Sequence, residues 1–289
     1  MIRRIKNLDG GSGPLIVMAP VAIGNEDDLS PRAISYFSKA DFICCEDTRT
    51  TNQMLLKHGI HAKKLVSLYS QVEGVKAKEI VKGLIGTDTL LVYCSDAGTP
   101  GISDPGALLV KEAIDNNIRV TALPGPCALI TALVISGLDT ADFAFYGFLS
   151  DRSGARRTML QEVSRVEIPM IFYESPVRVI ETLKDMYEIL GDRKFALLRE
   201  LTKVNEEAIR GTLADYQTIE PQSIRGECVI CVDGYKPDVS GNLERIKDLF
   251  KIHTRNGISA SVSAKVIAEE LGLRKNEVYR IIQKLSEER

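Results

Sequence analysis

For its first 235 residues this chain alternates between short runs rich in β-branched and aromatic residues and longer runs with helical periodicity. Single helices between successive strands mean crossover connections, and crossovers build a mostly parallel sheet with helices on its faces. The β-rich runs are Leu15–Ala19, Phe42–Cys45, Leu90–Cys94 and Arg119–Leu123, then Phe143–Phe148, Met170–Tyr173, Phe195–Arg199, Ala208–Arg210 and Cys228–Val232. Ser30-Pro31 supplies a helix N-cap followed by proline at the first helical position, opening a helix toward Lys39. Thr51–His58 is helical and Gly59 ends it. Further helices are predicted from Pro105-Gly106 to about Asn116, and over Ala128–Ser136, Gly154–Val166 and Val177–Leu190. The short spacings after Leu198 predict some antiparallel pairing.

Pro124-Gly125-Pro126 punctuates the chain hard and marks the expected junction between two α/β halves, residues 1–123 and 124–236. A polar, turn-rich linker follows at Lys236–Gly241. Beyond it, over residues 241–289, the pattern is helical. Ser263–Leu271 and Lys275–Leu285 are two amphipathic helices around Gly272, which is helix-turn-helix spacing; a packing or dimerising tail is the plainer alternative.

The formal net charge is −2, so no global positive field draws this chain to nucleic acid, and any such contact must be local. The tail is the basic part, with ten Lys/Arg against seven Asp/Glu between residues 241 and 289. Six cysteines sit mostly in apolar runs, as expected of free thiols in a reducing compartment. Cys228-x-x-Cys231 has metal-ligand spacing, but it lies in a strand-like run with no second pair, so no metal is expected. No signal-peptide core and no apolar run of about 20 residues is present, which predicts a cytoplasmic protein without a membrane span.

The most unusual stretch is Ser95-Asp-Ala-Gly-Thr-Pro-Gly-Ile-Ser-Asp-Pro-Gly106, which follows a buried strand and precedes a helix. Ligands of open α/β sheets bind beyond the carboxyl ends of strands. Three glycines and two prolines make a rigid loop whose backbone can approach a ligand closely, and Asp96 and Asp104 can accept from hydroxyl or amino groups. Neither a Gly-x4-Gly-Lys-Ser/Thr nor a Gly-x-Gly-x-x-Gly follows a strand, which argues against a nucleoside triphosphate or a dinucleotide. Three more clusters end strands: Glu46-Asp47-Thr48-Arg49, Phe172-Tyr173-Glu174-Ser175-Pro176 and Arg199-Glu200-Leu201-Thr202-Lys203. They can converge on one cleft. Glu46 and Asp47 with Arg49 are placed for a substrate or for a local ion pair. Arg152, Arg156 and Arg157 form a small basic patch suited to phosphate, or a solvated helix start.

Together with Ile23-Gly24-Asn25 and Leu123-Pro-Gly-Pro126, these motifs resemble, in order from about Leu15 to Val232, the bacterial 16S rRNA (cytidine-2′-O)-methyltransferases of the tetrapyrrole-methylase superfamily. The tail resembles the helix-turn-helix extension of some members. The resemblance implies an α/β, two-domain tetrapyrrole-methylase fold with a small C-terminal helical extension, a homodimer, and S-adenosylmethionine in the cleft between the domains. It places Ser95, Asp96, Ala97, Gly98, Thr99, Ser103 and Asp104 on one side of the cofactor and Pro124, Gly125, Pro126, Cys127 and Tyr173 on the other. The implied substrate is a cytidine in the decoding region of 16S rRNA within the 30S subunit. Expected proton acceptors are Glu46, Asp47, Glu174 and Lys203; expected RNA contacts are Arg49, Arg152, Arg156, Arg157, Arg274 and Lys275. Ala19–Asn25 and Tyr69–Glu73 depart from the family pattern, and both loops are expected to face the cleft. A tetrapyrrole methyltransferase of the same fold and a non-catalytic RNA-binding assembly factor remain alternatives.

Overall fold

The computed structural model describes residues 11–236 and 242–287. The chain separates into two compact units, Met1–Gly234 and Tyr235–Arg289. From 237 on, the predicted linker lies outside the described residues.

The first unit holds two five-stranded sheets. In the first, β1 (Leu15–Met18), β2 (Phe42–Cys45), β3 (Leu65–Ser67), β4 (Leu90–Cys94) and β5 (Arg119–Ala122) run parallel in the order β3-β2-β4-β1-β5. Strand alternation divides its core in two. Val17, Ile43, Cys45, Val92 and Cys94 face one layer, with Ala33 and Phe37 of α1 (Pro31–Lys39) and Leu55 of α2 (Thr48–Lys57). Ile16, Met18, Cys44, Leu91 and Tyr93 face the other, with Val81 of α3 (Glu73–Leu84) and Leu109 of α4 (Ala107–Asp115). Burial on both faces explains why these strands read as continuous apolar runs. Ser30 Oγ accepts from Ala33 N (3.1 Å), capping α1 as its sequence predicts.

The second sheet has β6 (Ala144–Phe148), β7 (Met170–Glu174), β8 (Lys194–Arg199), β9 (Glu207–Thr212) and β10 (Cys228–Val232) in the order β6-β7-β10-β8-β9. Only β6 and β7 pair in parallel; the remaining pairs are antiparallel. The last strand in sequence thus lies at the centre of this sheet. One face packs on α6 (Ser153–Glu162) and α7 (Val179–Leu190), through Leu160, Leu183 and Met186. The other packs on α5 (Ala128–Ser136), through Leu129, Ala132 and Leu133. Cys228 and Cys231 fall on opposite faces of β10, so the pair cannot share a metal.

The second unit is α8 (Leu243–Arg255), α9 (Ala260–Leu271) and α10 (Lys275–Glu287) around Ile246, Phe250, Ile267, Val278 and Ile282. Gly272 ends α9 with left-handed backbone, at the turn expected between the two amphipathic helices. Sequence patterns missed β3 and α3, and left α8 undelimited within the helical stretch expected over residues 241–289. Among the described residues no helix is long and apolar enough to cross a membrane.

Candidate functional site

The loop motifs singled out in the sequence are joined to one another. Val21 and Gly98 exchange backbone hydrogen bonds at 3.0 and 3.2 Å, fastening the loop after β1 to the loop after β4. Thr99 Oγ1 donates to the Pro126 carbonyl (2.7 Å). Asn25 N donates to Thr202 Oγ1 (2.9 Å), and Gly24 lies so close to Lys203 and Leu201 that a side chain there would collide with them. The Tyr173 hydroxyl accepts from Leu129 N at the start of α5 (3.1 Å). Ser103, Glu200 and Thr202 hold positive φ (62°, 52° and 63°). Non-glycine residues adopt that conformation at a cost, and such strain gathers at functional sites.

Between these loops opens a cleft of about 380 Å³. Glu46, Asp96, Ala97, Gly98, Thr99, Ser103 and Asp104 line it from the first half, and Cys127, Tyr173 and Glu174 from the second. Burial raises the Glu46 carboxyl above the ordinary glutamate range, and the nearby charges of Asp96 and Asp104 push the same way. Burial also raises Asp104, with Asp96 adding to it. Ser95 and Lys203 line an adjoining cavity of about 260 Å³, which shares Asp96 and Ala97 with the first. Gly125 and Pro126 line a third, of about 480 Å³, with Cys127. Pro124 is exposed and lines none of the three. The Ala19–Asn25 loop reaches the cleft through Ile23.

Several expected roles are corrected. Asp47 does not line the cleft. Its carboxylate caps α2, accepting from Arg49 N (2.8 Å), and pairs with the Arg49 guanidinium (2.7 Å). These hydrogen bonds hold its pKa down at about 2, which makes it a poor proton acceptor. Glu174 is buried and both its oxygens are taken: one by Arg178 (2.7 Å) and Ser175 N, the other by Thr182 Oγ1 (2.7 Å). Lys203 donates to Glu200 (3.0 Å) and Glu227 (2.8 Å). Burial opposes its charge, but the hydrogen bonds to Glu227 and Glu200 outweigh burial and raise its pKa, so it stays an ammonium. Arg156 is fully buried against Asp185 (2.7 Å) and Glu181 (3.1 Å), and Arg157 pairs with Asp185 (2.5 Å) and Glu188 (2.7 Å). The basic patch thus shrinks to Arg152, which is exposed. Arg49, Arg274 and Lys275 are exposed as well. Tyr69–Glu73 does not line the cleft: Glu73 is buried behind it, accepting from Gly106 N (2.8 Å), Leu108 N (2.9 Å) and Leu109 N (3.3 Å) at the head of α4.

The sequence reading missed Phe148 and the Gly226–Val229 segment, which also line the cleft. Phe148 looks like any apolar strand residue in sequence, and only the position of β10 brings Gly226–Val229 beside β7. Among the described residues no cluster of His, Cys, Asp or Glu is placed to hold a metal ion.

A family model of the tetrapyrrole (corrin/porphyrin) methylases matches residues 15–217. A protein named ribosomal RNA small subunit methyltransferase I from Streptococcus pyogenes serotype M18 is 38% identical over 269 residues, covering 92% of this chain and 93% of that protein. The protein of the same name from Xylella fastidiosa is 41% identical over 271 residues, covering 91% and 96%. Among solved structures, uroporphyrin III C-methyl transferase from Thermus thermophilus aligns with a TM-score of 0.54 at 14% identity, covering 76% of this chain and 97% of that one. Its complex with S-adenyl homocysteine aligns with a TM-score of 0.53, also at 14% identity and with the same coverage. A conserved hypothetical protein from Aeropyrum pernix K1 aligns at 0.61 with 12% identity, covering 96% and 98%. At such identities these structures share the fold.

Proposed function

Because this chain belongs to the tetrapyrrole (corrin/porphyrin) methylase family, we propose that it methylates small-subunit ribosomal RNA from S-adenosylmethionine, at the 2′-oxygen of a cytidine in the decoding region of 16S rRNA. The observation that carries the RNA reading is the identity to ribosomal RNA methyltransferases along more than nine-tenths of the chain, where the tetrapyrrole enzymes share only the fold.

The cleft suits the cofactor. Its volume of about 380 Å³ is in the range of small-molecule sites. Asp96 and Asp104 match a ligand bearing positive charge and ribose hydroxyls, and Ile23 and Tyr173 supply apolar wall. The backbone of 96–99 with Ser103 would hold the cofactor from one side, and Cys127 and Tyr173 from the other. When bound, S-adenosylmethionine supplies a methyl group activated by its positively charged sulfur.

The residues of the chain then have two tasks. One is to fix the ribose hydroxyl in line for transfer, which can lower a barrier by roughly 7–11 kcal/mol. The rigid Ser95–Gly106 loop and its tie to Pro126 serve that. The other is to accept the hydroxyl proton. Of the four expected acceptors, Glu46 alone combines a place on the cleft wall, no guanidinium or ammonium partner, and a raised pKa that brings it nearer neutral operation. The test is transfer of labelled methyl from S-adenosylmethionine to isolated 30S subunits and, separately, to uroporphyrinogen, followed by ribose-methylation mapping. Label at one cytidine of 16S rRNA is expected; label in uroporphyrinogen alone overturns the proposal.

A further inference from the structure

We propose that Phe148 is the platform on which the base of the target nucleotide stacks. The inference rests on the RNA methylation proposed above and names the residue that orients its substrate.

Phe148 ends β6 and lines the cleft, yet 59% of it is exposed. The strand register shifts between Phe145 and Phe148, so the end of β6 is irregular against β7. Such bulges re-aim a side chain and recur beside active sites. Gly147 lies within the shifted stretch, with φ 65°, and a Cβ there would stand 3.4 Å from Ser103 Oγ. The tip of β6 therefore reaches the Ser95–Gly106 loop and brings the ring to its rim.

The ring is also held. It packs edge-on against Tyr173 at 5.4 Å and 60°, and Tyr173 is fixed by Phe145 (4.9 Å) and by its bond to Leu129 N. An edge contact leaves ring face available. A large aromatic kept exposed on the wall of a cleft forgoes burial that the second sheet's core offers its neighbours, and a planar ligand restores it. Two such ligands approach this cleft, the adenine of the cofactor and the base of the substrate. A small-molecule ligand is mostly enclosed by its site, whereas 59% of Phe148 stays open to solvent, where a base carried on a longer RNA can reach it. Proteins that act on RNA commonly hold an unstacked base against an aromatic face.

The experiment compares wild type, Phe148→Ala, Phe148→Leu and Phe148→Tyr in two measurements: S-adenosylmethionine affinity by calorimetry, and steady-state methylation of 30S subunits. The expected result is a KM for 30S raised roughly five- to a hundredfold in Phe148→Ala and Phe148→Leu, the span of base–aromatic stacking. Cofactor affinity should stay within about twofold, and Phe148→Tyr should restore KM. Leucine keeps apolar bulk, so loss in that variant reports the missing aromatic face rather than a collapsed core. An unchanged KM for 30S in Phe148→Ala overturns the inference. A cofactor affinity that falls in step with KM assigns the ring to the adenine and overturns it equally. Wild-type protein inert on 30S subunits fails at the earlier step and removes the RNA reading itself.

Discussion

Glu46 and Asp47 are adjacent in sequence, and their carboxyl groups sit in opposite electrostatic settings. Glu46 shares its side of the cleft with two other carboxylates, and its pKa is raised by burial first and by Asp96 and Asp104 after it. Asp47 is on the surface with its hydrogen bonds to Arg49, and its pKa falls to about 2. The linkage runs in opposite directions. The folded state holds the Glu46 proton more tightly than the unfolded chain, so its contribution to stability falls as pH rises above the ordinary glutamate range. Glu46→Gln should therefore melt higher than wild type at neutral pH, with the gap closing in mild acid, while methyl transfer to 30S drops at least tenfold and cofactor affinity holds. Thermal melts across pH beside a turnover assay check this; unchanged turnover removes Glu46 as the proton acceptor. Asp47 contributes stability that is present above about pH 4 and is lost as pH falls toward 2, so Asp47→Asn should flatten the acid limb of the melting curve. In sequence the two acids were indistinguishable, because both follow a strand end. What separates them is Asp96 and Asp104, some fifty residues on, and a helix cap whose geometry appears only once α2 is built.

Glu73 shows how one element prepares another. Gly106 offers α4 no side-chain cap, and the buried Glu73 carboxylate at the start of α3 takes three of the free N–H groups there instead. Glu73→Ala leaves those donors stranded, and urea denaturation should show a loss of about 3 kcal/mol, with weaker S-adenosylmethionine binding because the Ser95–Gly106 loop loses its far anchor. Glu73→Gln keeps an acceptor and should lose less than half of that. Arg156 ties α6 to α7 in the same way: Arg156→Ala takes from buried Asp185 one of its two guanidinium partners, Arg157 remaining, and should lower stability by roughly 1.5–3 kcal/mol without altering the salt dependence of RNA binding. These elements mark the limit of pattern reading. Buried strands such as β4 and β10 announce themselves as apolar runs, and Ser30-Pro31 announces a helix start. β3 is three half-buried residues with no period to detect, and α3 begins without a capping side chain in a run mixing Lys, Glu and Gly. Arg156 looked like a phosphate ligand because its partner Asp185 is twenty-nine residues away.

At the scale of the molecule, the cleft belongs to an acidic region and the basic excess to the unit that follows. Removing residues 241–289 should leave cofactor affinity unchanged, weaken 30S binding and reduce the slope of binding against salt concentration. An unaltered salt slope would show that the helical unit makes no phosphate contacts. The order β6-β7-β10-β8-β9 has a different consequence, one for synthesis. The first sheet is complete once Ala122 has left the ribosome, and the interior of the second waits about a hundred residues more for Cys228–Val232. Until then β7 and β8 present open edges to each other and to any passing chain. A nascent protein stopped between Thr212 and Cys228 thus lacks the strand on which two others close: it carries one finished half and one adhesive half.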